Sequence, residues 1–123
     1  MNRRVLVVDD EAILGSFICR ILESEGFRPT FTTDSQAALA AVAESLGAER
    51  FSAALLDLNL AGETGEMLAA QILKIDRTLP LIATTGLVTS EVLLSPGASG
   101  FVAALKKPFG REALLGIVKA HQR

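Results

Sequence analysis

The chain has 123 residues, room for one well-filled core and too few for two. Half of its residues are hydrophobic and its formal net charge is -2, with Lys and Arg scattered rather than clustered, which speaks against a nucleic-acid surface. The single cysteine, Cys19, excludes an internal disulfide and falls within a helical apolar pattern as a small core residue. No apolar run reaches the ~18 residues of a membrane span. Met1-Asn-Arg-Arg leads straight into a short strand rather than a signal-peptide core, so the expected setting is soluble and cytoplasmic, with no membrane partner.

Val5-Leu-Val-Val8 is a β-branched apolar run ending in Asp9-Asp10-Glu11, as expected of a strand buried on both faces with acids at its tip. The period then changes. Ile13, Phe17 and Ile21 recur beside Leu14, Ile18 and Leu22, predicting an amphipathic helix over 12–25 that Gly26 stops. Arg28 to Thr32 makes a weak strand whose Pro29 suits a sheet edge. Asp34 or Ser35 caps a second helix with Ala38, Leu39, Val42 and Leu46 on one side, and Gly47 closes it.

Phe51-Ser-Ala-Ala-Leu-Leu-Asp57 follows, a wholly apolar strand that ends on an acid, with Gly62 and Gly65 marking the loop and turn beyond it. A third helix runs from Thr64 or Gly65 to Lys74, with Leu68, Ile72 and Ile75 inward. Leu81-Ile-Ala-Thr-Thr85 is the fourth strand, introduced by Pro80 and stopped by Gly86. A short helix from about Ser90 to Leu94 runs into Ser95-Pro96-Gly97. The fifth strand lies within Phe101 to Leu105, and the last helix covers about Arg111 to His121, with Leu114, Ile117 and Val118 on one face.

Strands alternating with helices in this way predict an α/β fold: a doubly wound five-stranded parallel sheet with helices on both faces, strand order 2-1-3-4-5. The whole of 1–123 reads as one domain. In such sheets ligands bind beyond the carboxyl ends of the strands, and this order brings Asp9, Asp10 and Asp57 together there. Three carboxylates at one point repel each other unless a cation joins them. With no histidine or thiolate in the cluster, a hard ion such as Mg²⁺ is the expected cofactor, with Asp10 and Asp57 as direct ligands, Asp9 through water and the Asn59 carbonyl as a further donor.

Magnesium beside a carboxylate also suggests phosphoryl transfer, with Asp57 as the nucleophile. Lys107, just past the fifth strand, would neutralise phosphoryl charge, and Thr84 or Thr85 would hydrogen-bond the new group. Taken singly, such a lysine is usually a solvated surface side chain, such a threonine a strand end, and Asp9-Asp10 a helix cap. Their joint placement after successive strands is what carries the reading.

The chain resembles the receiver domain of two-component response regulators from end to end. The segments carrying the match are VLVVDDE (5–11), LLDLNLAGETG (55–65), LPLIATTG (79–86) and LKKPF (105–109). The resemblance implies a flavodoxin-like fold, Asp57 as phosphoacceptor, Asp9 and Asp10 as the acidic pair for Mg²⁺, Thr85 as the switch hydroxyl and Lys107 as the phosphoryl-contacting lysine before a cis bond to Pro108. It implies a phosphohistidine donor on a histidine kinase or histidine phosphotransfer protein, not His121 of this chain. A downstream protein partner is expected on the face of the fourth helix, fifth strand and last helix, with the chain a monomer or weak dimer.

Some positions depart from that pattern. Ala61 stands where the family often has Pro, and Thr64 where it often has Asp. Ala104 stands where Tyr or Phe usually reports the switch hydroxyl. In its place, the apolar segment around Leu87, Val88, Val92, Leu93 and Leu94 is expected to carry the switch within residues 86–100.

The expected role is a signalling phosphoacceptor that assists its own phosphorylation, not an enzyme with a separate substrate. The alternatives are a pseudo-receiver acting as a phosphorylation-independent interaction module, or a receiver excised from a hybrid histidine kinase. A dehalogenase-type hydrolase would need D-x-D after the first strand, and a flavin site would be repelled by Asp9-Asp10-Glu11.

Overall fold

The computed structural model describes residues 3–86, 95, 97 and 100–123. Five strands, β1 (Arg4–Val8), β2 (Arg28–Thr32), β3 (Ala53–Asp57), β4 (Leu81–Thr85) and β5 (Ala103–Lys106), form one sheet in the order β2-β1-β3-β4-β5. Every pairing in it is parallel. The helices are α1 (Ala12–Ser24), α2 (Ser35–Leu46), α3 (Gly65–Ile75) and α4 (Arg111–His121). The helix expected near 90–94, its apolar neighbours and the switch assigned to that stretch lie outside the described residues.

The two-residue period of a strand divides the core in two. Leu6 and Val8 of β1 join Leu56 of β3 under Ala38 and Val42 of α2 and Leu68, Ala69 and Ile72 of α3. Val5 and Val7 face the other way, with Leu55 and Ile82, against Ile18, Ile21 and Leu22 of α1 and Leu114, Leu115 and Val118 of α4. The sheet is therefore covered on both faces, which is why its central strands read as unbroken apolar runs.

The helix faces need correction. Ile13 is 89% exposed and Phe17 49%, so neither belongs to the core stripe of α1. At 3.6 residues per turn Ile13 stands about 140° round from Ile18, and Phe17 about 100°. The buried face instead runs through Gly15, Ile18, Ile21 and Leu22. In α2 Ser45 is buried and Leu46 is exposed; the Ser45 hydroxyl donates to the Val42 carbonyl at 2.6 Å, which satisfies it inside. In α3 Ala69 rather than Ile75 completes the buried set, and in α4 Leu115 is buried where Ile117 is half-buried.

The caps are settled as well. Asp34 accepts from the Ala37 amide at 2.8 Å, and Thr64 caps α3 by accepting from the Met67 amide at 3.2 Å. β5 starts inside the expected stretch at Ala103 and runs one residue past it to Lys106, because Lys106 pairs with Thr85. Phe101 stays in the core ahead of the strand. Cys19 is half-buried, its thiol pushed up to about 11 by burial and then by Glu23, so it is protonated and unreactive near neutrality.

Gly15 lets β2 and α1 close on each other. A methyl at this position would stand 2.1 Å from Phe31 Cζ. Gly15→Ala is expected to cost about 1–3 kcal/mol through overpacking, read as a lower urea midpoint at unchanged slope. A midpoint equal to wild type would show that the Phe31 ring swings aside freely.

At the amino ends of the strands, the chain's last residue is tied down. The Arg123 amide donates to the Ser52 carbonyl at 2.9 Å and its Nε to the Phe51 carbonyl at 2.9 Å. Its two terminal nitrogens grip Asp76 at 2.9 and 2.6 Å, and Nη1 also reaches the Thr78 hydroxyl at 2.8 Å. Asp76 is buried, and the Arg123 hydrogen bonds hold its carboxyl below the usual carboxylate range against the cost of burial.

Candidate functional site

Register brings the site together. Val8 pairs with Leu56, so Asp9, one residue past β1, stands level with Asp57, the last residue of β3. Asp57 in turn pairs with Thr84, and Thr85 with Lys106, which leaves Lys107 one residue past the end of β5. Asp9, Asp57, Thr84 and Thr85 are buried, while Asp10 is exposed.

Each carboxylate is held by a specific partner. Asp57 Oδ1 accepts from the Asn59 amide at 3.0 Å, and Asp57 Oδ2 lies 3.2 Å from Lys107 Nζ. Asp9 Oδ2 accepts from the same ammonium at 3.1 Å. Asp9 Oδ1 accepts from the Glu11 amide at 2.8 Å, so Asp9 also satisfies a donor at the start of α1. Asp9 thus uses one oxygen on the Glu11 amide just ahead of α1 and the other on Lys107, while the N-cap of α1, Glu11, makes no side-chain cap.

Burial raises the Asp57 pKa, and the neighbouring Asp9 charge adds to this, outweighing the Asn59 amide and Lys107, which work the other way. For Lys107, burial disfavours the charge, but the Asp9 hydrogen bond and the Asp57 charge prevail and raise its pKa. One half-buried ammonium is therefore shared by two buried carboxylates.

One oxygen from each of Asp9, Asp10 and Asp57 lies within 4.8 Å of the others. This donor set is all oxygen and one member opens to solvent, which fits a hard divalent cation such as Mg²⁺. Asn59 contributes its amide to Asp57 and is the exposed residue of a two-residue strand segment, Asn59–Leu60, that pairs antiparallel with Glu63–Thr64 while Leu60 is buried. Gly62 makes the reversal between them at φ +79.

Thr84 and Thr85 differ in what their backbones hold. The Thr84 carbonyl accepts from Leu58 N at 3.0 Å, and the Thr85 carbonyl from Lys107 N at 2.7 Å. The Lys107–Pro108 peptide is cis. Ala104 is half-buried on β5, opposite Ala83. Beside the carboxylates, Glu11, Leu14, Phe17, Lys107, Pro108 and Phe109 line a largely apolar cleft of about 430 Å³.

Asp10→Ala is expected to weaken Mg²⁺ binding at least about tenfold while the metal-free protein melts no lower than wild type, because one of three crowded charges is gone. Titration calorimetry and scanning calorimetry read the two effects. Unchanged Mg²⁺ affinity would remove Asp10 from the ligand set.

The fold, a five-stranded parallel sheet with helices on both faces, is flavodoxin-like. Residues 5–119 match the family profile of the response regulator receiver domain, and the chain belongs to that family. It is 34% identical over 126 residues to the DNA-binding response regulator MtrA of Mycobacterium tuberculosis (strain ATCC 25618 / H37Rv), covering 100% of this chain and 52% of that protein. The chain thus spans about half the length of the curated relatives it matches.

Among solved structures, a CheY-like receiver domain protein from Methanospirillum hungatei JF-1 superposes with a TM-score of 0.86 at 27% identity, covering 98% of this chain and 93% of that one. NtrX from Brucella abortus superposes with a TM-score of 0.86 at 28% identity, covering 98% of this chain and 27% of that one.

Proposed function

We propose that this receiver takes a phosphoryl group from a phosphohistidine onto Asp57 and signals by the conformational change that follows. The observation that carries the reading is Lys107 Nζ bridging Asp9 and Asp57 at 3.1 and 3.2 Å beside a third carboxylate. An Asp57 oxygen attacks the phosphorus, the donor's N–P bond breaks with its electron pair left on the imidazole, and an aspartyl phosphate forms. Lys107 balances charge on the transferring oxygens, and Thr85 supplies a hydroxyl to the product.

Asp9, Asp10 and Asp57, with the Asn59 carbonyl, would hold Mg²⁺, which supplies further neutralisation of phosphoryl charge when bound. The donor is a histidine kinase or a histidine phosphotransfer protein. The cleft walled by Leu14, Phe17, Pro108 and Phe109 next to Lys107, with Ile13 exposed beyond it, gives an apolar seat for that protein beside the acceptor. A downstream protein partner is assigned to the face of β5 and α4, and the Ala104 position makes its readout independent of an aromatic ring there.

The test is intact-mass measurement after incubation with a small acyl phosphate and Mg²⁺. Wild type is expected to gain one phosphoryl group, and Asp57→Asn none. Labelling that persists in Asp57→Asn moves the acceptor elsewhere, and wild type that stays unlabelled favours a phosphorylation-independent interaction module.

A further inference from the structure

Helix α3 begins on glycine, a residue that weakens helices. Gly65 is not among the glycines with positive φ, so its backbone conformation does not demand glycine. What demands it is space. A methyl at this position would stand 2.5 Å from the Asp57 carbonyl oxygen, 2.7 Å from Leu58 Cα and 3.1 Å from the Asp57 carbonyl carbon. All three are backbone atoms and cannot rotate aside.

The same short segment is fixed from other directions. The Gly65 amide donates to the Leu58 carbonyl at 3.1 Å, and the Leu58 amide donates to the Thr84 carbonyl at 3.0 Å. The Asn59 amide holds Asp57 Oδ1. The peptide joining Asp57 to Leu58 is therefore clasped between β4 and the first residue of α3.

We infer that Gly65 is a positioning residue for Asp57. Its missing side chain seats α3 directly on the Asp57–Leu58 peptide and so sets where the carboxylate stands relative to Asp9 and Lys107. This rests on Asp57 being the phosphoacceptor. A methyl at Gly65 forces that peptide away by about 1 Å, and a displacement of that size at a reacting group can cost about a hundredfold in rate.

The test uses Gly65→Ala beside two controls. Gly15→Ala is overpacked against the Phe31 ring, and at Gly110 an added methyl meets nothing within 4 Å. Phosphorylation by a small acyl phosphate with Mg²⁺ is followed to saturation in each folded variant, and the backbone amide resonances of 57–59 are recorded. Gly65→Ala is expected to lose about a hundredfold in the saturated rate, with the half-saturating donor concentration within about threefold of wild type and the Leu58 and Asn59 amides shifted. Gly15→Ala and Gly110→Ala are expected to stay within about twofold of the wild-type rate, whatever their stability.

A Gly65→Ala rate near wild type overturns the proposal, and so does an equal loss in Gly15→Ala. Should Gly65→Ala fail to fold, wild type treated with beryllium fluoride and Mg²⁺ decides. The adduct is expected to move the Gly65 amide resonance together with that of Asn59, and a Gly65 signal left in place while Asn59 moves overturns the proposal. Wild type that accepts neither phosphoryl nor beryllium fluoride overturns the acceptor reading itself, and this one with it.

Discussion

Lys107→Ala is expected to slow phosphoryl transfer to Asp57 by about a hundred- to a thousandfold, the usual cost of deleting one group that stabilises developing charge. The side chain is 16% exposed and its ammonium contacts both Asp9 and Asp57, so its loss also leaves two buried carboxylates without their shared cation. In the metal-free protein that should remove about 3–5 kcal/mol of stability. Mg²⁺ affinity should stay within about threefold of wild type, so Mg²⁺ should stabilise variant and wild type by similar amounts and leave the deficit in place. Scanning calorimetry with and without Mg²⁺, alongside the phosphorylation rate, reads all three effects. A variant that melts like wild type in the absence of Mg²⁺ would show that the ammonium is not what offsets the repulsion.

The second large effect lies at the opposite end of the sheet. Arg123→Ala deletes the guanidinium that grips buried Asp76 at 2.9 and 2.6 Å, leaving Arg50 Nη1 at 4.0 Å as the nearest remaining cation described. The expected loss is about 3–5 kcal/mol near neutral pH. Because Arg123 lowers the Asp76 pKa, its contribution is present above the unfolded carboxyl's pKa and disappears as pH falls through the lower, folded value. The difference between wild type and variant should therefore shrink in acid, leaving the smaller share from the bonds to Phe51 and Thr78. Urea unfolding at about pH 7 and about pH 3 measures it. An undiminished difference in acid would assign the effect to those neutral acceptors alone. Phosphorylation of the folded variant should match wild type within about twofold, since Asp57 is at the far end of β3.

The sheet was legible because Val5 to Val8, Ala53 to Leu56 and Leu81 to Ala83 are buried on both faces, and burial of that kind leaves a plain signature in composition. The placement of Asp9, Asp57 and Lys107 at strand ends followed from the order of the strands, and the structure brings the three side chains into contact. Helix faces were less legible. Periodicity admits Ile13 and Phe17 to the α1 stripe, but Gly15 against Phe31 fixes which side turns inward. Ser45 is polar by type and buried by virtue of a local hydrogen bond that no hydropathy pattern records. The demand for glycine at position 65 is a matter of clearance from another segment, and the partners of Arg123 lie 45 to 72 residues back along the chain, so neither leaves a local trace.

The strand register carries one consequence for how this chain can vary. Asp9, Asp57, Thr85 and Lys107 all lie at, or one residue beyond, the last rung of their strands. Their place is thus fixed by a count of residues from the rung below, not by which apolar side chains fill those rungs. Exchanging Val for Ile within β1 costs about 1–3 kcal/mol of overpacking where the core is full but keeps the acids in place. Losing or gaining a single codon there would carry Asp9 off the site and turn every β1 side chain to the opposite core. The reading frame of the strands, more than their spelling, is what holds the carboxylates and the lysine at one level.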